Sequence, residues 1–360
     1  MLFRTPKITK KLRAELDELE ELRGRLGAEA GGAGLWLGSL RRLVRASSAE
    51  SSISIEGFHV PEHEATKLVA GEELPGTEDE NRMALACYAR AMDHVGVMAH
   101  GPHFRWLDRV ILDLHFDACE FQRDMGPGLL REGPIGVTSS DGSLAYRGPD
   151  ADEVPGLLAE LVDWLQEGDL DAPAVVRAAM AHLNLVSIHP FRDGNGRISR
   201  IVQSLVLARE GLMSPEFSSI EEYLGAHTPA YYAALRALRD RYQPERDATG
   251  WVAFCVEAHL VQARQRLAQI EQAGKRWRFL EGLVVGRGWS DRLVIALEQS
   301  LFHGVDRSSY ATEAGISPAT ASADLRRLLD AGLVVRQSLG RTTRYVAGDA
   351  LRGGVREALS

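Results

Sequence analysis

His189-Pro190-Phe191-Arg192-Asp193-Gly194-Asn195-Gly196-Arg197-Ile198-Ser199-Arg200 is the stretch around which this chain has to fold. Before it, Val176, Met180, Leu183 and Val186 recur at helical spacing, and the helix they predict must stop short of Pro190. After it, Ile198, Val202, Leu205 and Val206 mark a second apolar face, closed by Gly211. A glycine-bearing loop thus joins two helices whose apolar stripes belong to a core. No strand precedes the loop, so a Rossmann βαβ unit does not fit, and with no GxxxxGK[ST] present a P-loop is excluded.

Working outward, helical spacing dominates. Leu12, Leu16, Leu19, Leu22 and Leu26 form one stripe, ending at the flexible GAEAGGAG stretch. Further helices are expected over 36–44, 79–95, 104–121, 155–166 and 251–272, with a serine-rich stretch over 47–54. The segment 129–146, LLREGPIGVTSSDGSLAY, holds two β-prone pieces around Ser-Ser-Asp-Gly, a hairpin signal. From about 276 the character changes. Helices over 290–302, 308–314 and 317–331 precede LVVRQSLGRTTRYVA, with β-prone runs on either side of Leu339-Gly340. Three helices and a hairpin make a winged-helix pattern. The expected architecture is mainly α, divided into an N-terminal helical region (1–100), a central core (101–275) and a C-terminal module (276–360).

Bulk properties narrow the class. With 45% hydrophobic and 26% charged residues in 360, the chain has ample core for two or three domains. No apolar run approaches the roughly 18 residues of a membrane span. The opening MLFRTPKITKKLRAELDELEEL turns charged too soon for a secretory signal. Cys87, Cys119 and Cys255 show no CxxC spacing, so a disulfide framework is not expected and a reducing cytoplasm is. A net charge of −8 excludes a nucleic-acid coat but leaves room for a local basic patch.

The loop has its own chemistry. Gly194, Asn195 and Gly196 stand where a loop enters a helix, so free N–H groups and the positive dipole end form an anion site. Arg197 and Arg200, three apart, project from nearly one face and suit a chain of phosphates. Asp193 offers the hard oxygen that a phosphate-bound Mg²⁺ prefers, or simply caps the turn. His189 can accept a hydroxyl proton near neutral pH. His182, seven residues earlier, hints at a metal pair with His189, but no third soft ligand lies nearby for zinc. His103, His115, His182, His227, His259 and His303 read as structural or exposed.

This window resembles the Fic signature HPFx[DE]GNGRxxR without a mismatch. Pro127-Gly128-Leu129-Leu130-Arg131 is similar to the PGxxR step before the Fic flap. Val154-Pro155 with Leu161 and Trp164 resembles the helix after it, and Tyr231-Tyr232 with Leu235 a downstream YYxxL element. The resemblance covers roughly 40–260, and departs in that the prolines after the flap are reduced to Gly148-Pro149. It implies a helical Fic fold with a small β-hairpin flap and transfer of AMP from ATP to a protein hydroxyl. His189 is then the base, and Asp193 holds Mg²⁺. Gly194, Asn195 and Gly196 form the anion hole, while Arg197 and Arg200 bind the β- and γ-phosphates. The flap over 136–146 would pair with the target as an added strand. The Tyr231-Tyr232 pair reads as packing or as nucleotide contact.

Ser51-Ser52-Ile53-Ser54-Ile55-Glu56-Gly57 has no unique meaning alone, but beside a Fic loop it resembles the inhibitory [ST]xxxE[GN] motif. Glu56 would then occupy Arg200. The C-terminal pattern resembles the winged helix-turn-helix appended to many Fic proteins, with Arg341 and Arg344 on the wing and Ser317, Thr320 and Ser322 at the entry of the recognition helix. Two functions follow: an AMP transferase restrained by Glu56, or a DNA-binding regulator whose Fic domain senses nucleotide. Expected partners are a target hydroxyl, the chain itself in self-modification or as a homodimer, and DNA, with no membrane.

Overall fold

The structure, a computed structural model, describes residues 1–30, 35–72, 79–138, 144–211, 218–238, 240–302, 304–339 and 342–360. The Ser-Ser-Asp-Gly turn, the end of the GAEAGGAG stretch, His303, Gly340 and Arg341 lie outside these residues. The chain forms two compact units, Met1–Ala28 with Arg41–Leu267, and Glu29–Leu40 with Ala268–Ser360. It is mainly helical, as its periodicity predicts, with two small antiparallel hairpins. Among the described residues no helix is long and apolar enough to cross a membrane.

Among the described residues the helices of the first unit are most of α1 (Lys10–Ala30) and of α2 (Leu35–Ser54), α3 (Glu62–Val69), α4 (Glu80–Ala99), α5 (Asp108–Cys119), α6 (Val154–Glu167), α7 (Ala174–Ile188), α8 (Asn195–Arg209), α9 (Glu221–Ala226), α10 (Thr228–Leu238) and the start of α11 (Thr249–Val285). The leucine stripe of α1 is buried throughout. Helix α7 is its centre. Every residue from Val175 to Ile188 is buried, so each polar side chain there needs an internal partner. His182 bonds Gln203 Oε1 at 2.6 Å and Tyr231 Oη at 2.9 Å, while Arg177 donates to the Leu165 and Gly168 carbonyls. Helices α7 and α8 pack side by side, and α4 and α5 close over α8.

Two helices run further than their sequence suggested. The serine-rich stretch continues α2, because Ala46, Ala49 and Ile53 keep the buried spacing and Ser48 and Ser52 find buried partners. Helix α11 extends past 272 to Val285, because Trp277, Leu280 and Val284 resume a buried stripe. The flap is β1 (Gly136–Thr138) paired with β2 (Leu144–Arg147), with an irregular register between Val137 and Thr138.

The second unit contains α12 (Leu293–Phe302), α13 (Arg307–Glu313), α14 (Pro318–Asp330), the hairpin β3 (Val334–Leu339) and β4 (Thr342–Ala347), and α15 (Asp349–Leu359). Its core gathers Trp277, Leu280, Leu297, Tyr310, Leu325, Leu328, Val334 and Leu351. Buried Asp324 pins α14, accepting from Arg292 Nε at 2.7 Å and Nη2 at 3.1 Å and from Tyr310 Oη at 3.0 Å.

Candidate active site

The loop between α7 and α8 lies on a cavity of about 560 Å³. Its lining includes His189, Arg192, Asp193, Gly194, Asn195, Gly196, Arg200 and Glu56, with flap residues Val137, Thr138 and Tyr146 and helix α10 residues Tyr231, Tyr232, Leu235 and Arg236. The sequence-predicted site residues therefore converge, with one exception. Arg197 is fully buried behind the loop and does not line the cavity.

His189 ends α7 in the left-handed region at φ 51°, which a non-glycine residue rarely adopts. Arg131 holds it there. The Arg131 guanidinium donates to the His189 carbonyl at 2.8 Å, to Gly133 at 2.7 Å and to Pro149 at 2.6 Å. Its own N–H bonds the Pro190 carbonyl at 2.9 Å. One side chain thus ties the His189 backbone to both ends of the flap. Burial pushes the pKa of Arg131 down, though it remains a cation. The His189 ring places Nδ1 3.0 Å from the Val186 carbonyl. A carbonyl can only accept, so Nδ1 carries the proton in the neutral ring and Nε2 is the basic nitrogen.

Below the loop, Phe191 is fully buried and stacks on His115 at 3.6 Å between centroids. His115 Nδ1 accepts the Gly128 N–H at 2.8 Å, which leaves the proton on Nε2, donated to the Asp193 carbonyl at 3.0 Å. Burial lowers its pKa to about 4, so it stays a neutral strut. Asn195 spends its side chain on structure, accepting from Phe191 N–H at 3.0 Å and donating to the Phe191 carbonyl at 2.9 Å. Its backbone N–H stands at the start of α8. Gly194 caps that helix at φ 72°, and a Cβ there would strike Cys119 Sγ. The Cys119 thiol is pushed up to about 12 by burial, which removes it as a nucleophile.

Glu56 bridges both arginines, a wider contact than the motif alone suggested. Its Oε2 accepts from Arg197 Nε at 3.0 Å and its Oε1 from Arg200 Nη2 at 2.9 Å. Ser52, four residues earlier on the same face, accepts from Arg200 Nε at 2.7 Å through its hydroxyl and from Nη2 at 3.0 Å through its carbonyl. Gly57 explains the last motif position. Phe58 N–H reaches the Ile53 carbonyl at 3.2 Å and Gly57 N–H the Ser54 carbonyl at 3.0 Å, with Gly57 at φ 91°. That pair of bonds is a Schellman end, and glycine or asparagine best takes its left-handed residue. Gly196 leaves room for the carboxylate, since a Cβ there would strike Glu56 Oε1. Burial works against the Arg200 charge, and Glu56 more than offsets it, so the guanidinium is held protonated more firmly than usual.

Arg197 lies between the rings of Phe58 and Phe121, 5.5 and 5.3 Å from their centroids. It also donates to Gln122 Oε1 at 2.8 Å and to Asp193 Oδ2 at 3.2 Å. Sequence reasoning missed Gln122, Phe58 and Phe121 and, though it read His115 as structural or exposed, could not name what His115 supports, because no local pattern links residues so far apart. Arg131 was visible only as the last letter of PGxxR. Both ring nitrogens of His182 are engaged inside the core, by Gln203 and Tyr231, and not turned to His189 as a metal pair. Asp193 alone faces the cavity with a carboxylate not claimed by two arginines, which suits a cation whose other ligands come from phosphates.

With the geometry in hand, the relatives are informative. Residues 106–207 match the Fic/DOC family, and the chain carries a Fic/DOC family domain. It is 40% identical over 74 residues to protein adenylyltransferase fic-1 of Caenorhabditis briggsae, covering 19% of this chain and 15% of that one. A probable protein adenylyltransferase of Aquifex aeolicus is 36% identical over 83 residues, 23% of this chain and 25% of its own. The chain thus spans only 15% to 25% of the length of these curated relatives. In fold, a Fic family protein from Desulfovibrio desulfuricans superposes with a TM-score of 0.62 at 21% identity, over 96% of this chain and 99% of that chain. A Fic domain containing signaling protein from Bacteroides thetaiotaomicron gives 0.57 at 17% identity, over 71% and 97%.

Proposed function

We propose that the protein transfers AMP from ATP to a Ser, Thr or Tyr hydroxyl of a target protein, and that Glu56 restrains the reaction. The observation that carries this reading is an orphaned donor in the cavity lining. Arg200 Nη1 is buried without a hydrogen-bond partner among the described residues, as is Arg197 Nη1 behind the loop. A buried guanidinium N–H left unpaired is costly, and an anion is its natural complement. Arg200 Nη1 lies 3.1 Å from where a Cβ on Gly196 would sit, beside the N-terminus of α8. The cavity has the volume of an ordinary cofactor site.

The residues fit a nucleotide triphosphate. The N–H groups of Asn195 and Gly196 face the phosphates, Arg200 takes the γ-phosphate once Glu56 lets go, and Arg197 backs the loop and orients Asp193. Asp193 would hold Mg²⁺, which when bound neutralises charge on the phosphates. His189 Nε2 takes the proton of the target hydroxyl as its oxygen bonds to the α-phosphorus. The bond from that phosphorus to the bridging oxygen breaks, and pyrophosphate leaves. The flap edge would align the target, and self-modification and a homodimer are part of the same reading. Free, buried Cys87, Cys119 and Cys255 support a cytoplasmic setting.

The test is labelling of target or self from ATP carrying the label at the α or at the γ position. Incorporation from α and none from γ supports AMP transfer, while the reverse pattern makes the protein a kinase and removes this reading.

A second reading concerns residues 276–360, proposed as a winged helix-turn-helix that binds duplex DNA. The exposed face of α14 presents Ala319, Ser322, Ala323 and Arg326, short residues flanked by a guanidinium. Arg327 and Arg336 line the adjoining groove with Trp289 and Tyr345. Arg344 lies on β4.

A further inference from the structure

The cavity holds two cations in its lining besides the buried Arg200. Arg192 and Arg236 both line it, both are exposed, and neither has an ion-pair or hydrogen-bond partner among the described residues. The other charges of the lining are matched. Glu56 is held by Arg197 and Arg200, and Asp193 by Arg197. The lining cation suited to phosphate, Arg200, is buried at the start of α8, with Arg197 buried behind the loop, whereas Arg192 and Arg236 are exposed. Arg192 lies three residues from His189 in the same loop. Arg236 follows Tyr232 by one helical turn on α10, and both line the cavity along with the flap residues Val137 and Thr138.

From this mismatch we infer that Arg192 and Arg236 select the target: the protein modifies a hydroxyl flanked by acidic side chains. The inference rests on the transferase reading and adds the chemistry of its second substrate. A hydroxyl delivered to His189 Nε2 brings its neighbouring residues to the cavity mouth, where two unpaired guanidiniums favour carboxylates and disfavour lysine or arginine. Exposed pairs of this kind are worth up to about fivefold in affinity each and are screened by salt.

The experiment uses the full chain carrying Glu56→Gly with a non-hydrolysable ATP analogue. Fluorescent peptides with a central Ser, Thr or Tyr are flanked by glutamate, alanine or lysine, and binding is read by anisotropy. The expected order is glutamate, alanine, lysine, with steps of up to about fivefold that shrink at high salt. Arg192→Glu and Arg236→Glu should each weaken or invert the order, and Arg192→Lys should keep it. Equal binding of the three series, or an order untouched by both reversals, overturns the inference. So does a loss of nucleotide affinity in the reversals with the peptide order intact, which would make the arginines nucleotide ligands. If acidic peptides bind in the expected order but receive no AMP from ATP, the docking inference stands and the transferase reading falls.

Discussion

Replacing Glu56 by glycine removes one carboxylate from two guanidiniums, and its effect is calculable from the site. The carboxylate accepts charge-assisted bonds of 3.0 and 2.9 Å from Arg197 and Arg200. Bonds of this kind contribute roughly 1.5–3 kcal/mol each, so displacing Glu56 costs the incoming γ-phosphate about 3–6 kcal/mol. Its side chain is 17% exposed, so water replaces part of the loss and the lower end applies. About 3 kcal/mol corresponds to about a hundredfold gain in the initial rate of AMP incorporation. The same substitution strands two buried cations, so without nucleotide the variant should melt several degrees lower. ATP should restore more of that loss than it adds to the wild type. The assay is initial-rate labelling from α-labelled ATP beside thermal unfolding with and without nucleotide. Equal rates for variant and wild type, with an unchanged melting temperature, would show that the Glu56 bridge restrains nothing.

His189→Ala should abolish transfer while leaving ATP affinity within a few fold, since the ring faces the hydroxyl and not the phosphates; retained labelling removes it as the base. Arg131→Ala orphans the carbonyls of His189, Gly133 and Pro149 and should cost about 2–4 kcal/mol in denaturant unfolding. His115 and His259 are both held neutral by burial, His115 down to about 4. The unfolded chain takes up protons below about pH 6.5 and the fold does not, so stability is full above that value and falls as pH drops toward 4. His259→Gln should flatten that slope in unfolding curves taken across the range. For the C-terminal unit, Arg344→Ala in the full chain should weaken duplex binding on all sequences and reduce the salt slope by about one, and no binding at low salt would exclude DNA.

The helices were legible because their stripes are long and regular. The 174–188 and 195–209 elements needed only the apolar spacing, Pro190 and the glycines. The loop between them was legible because contiguous residues carry its chemistry. What stayed hidden was tertiary. Ser52 and Glu56 reach Arg200 from nearly 150 residues away, His115 joins Gly128 to Asp193, and the burial of Arg197 between Phe58 and Phe121 depends on three separate segments. A sequence window records spacing along one element, not which elements will face each other. The side chain of Asn195 illustrates the limit: its place in the motif was evident, yet its bonds to Phe191 show a hinge pin for the loop and not a phosphate contact.

Glu56 lies two residues past the end of α2, in the turn that caps it, and on the proposed reading that position sets how its restraint would be released. Helix ends are the first places where a folded chain opens, at far less free energy than undocking a whole helix. Unwinding the Schellman turn would break two backbone bonds, from Gly57 and Phe58, and swing the carboxylate away while Ala46, Ala49 and Ile53 stay buried. Restraint of this design would be leaky in a graded way, with basal output tracking how often one turn frays. Warming, a helix-stabilising neighbour or a substitution at Gly57 would each turn the same dial, and none would need to touch the nucleotide.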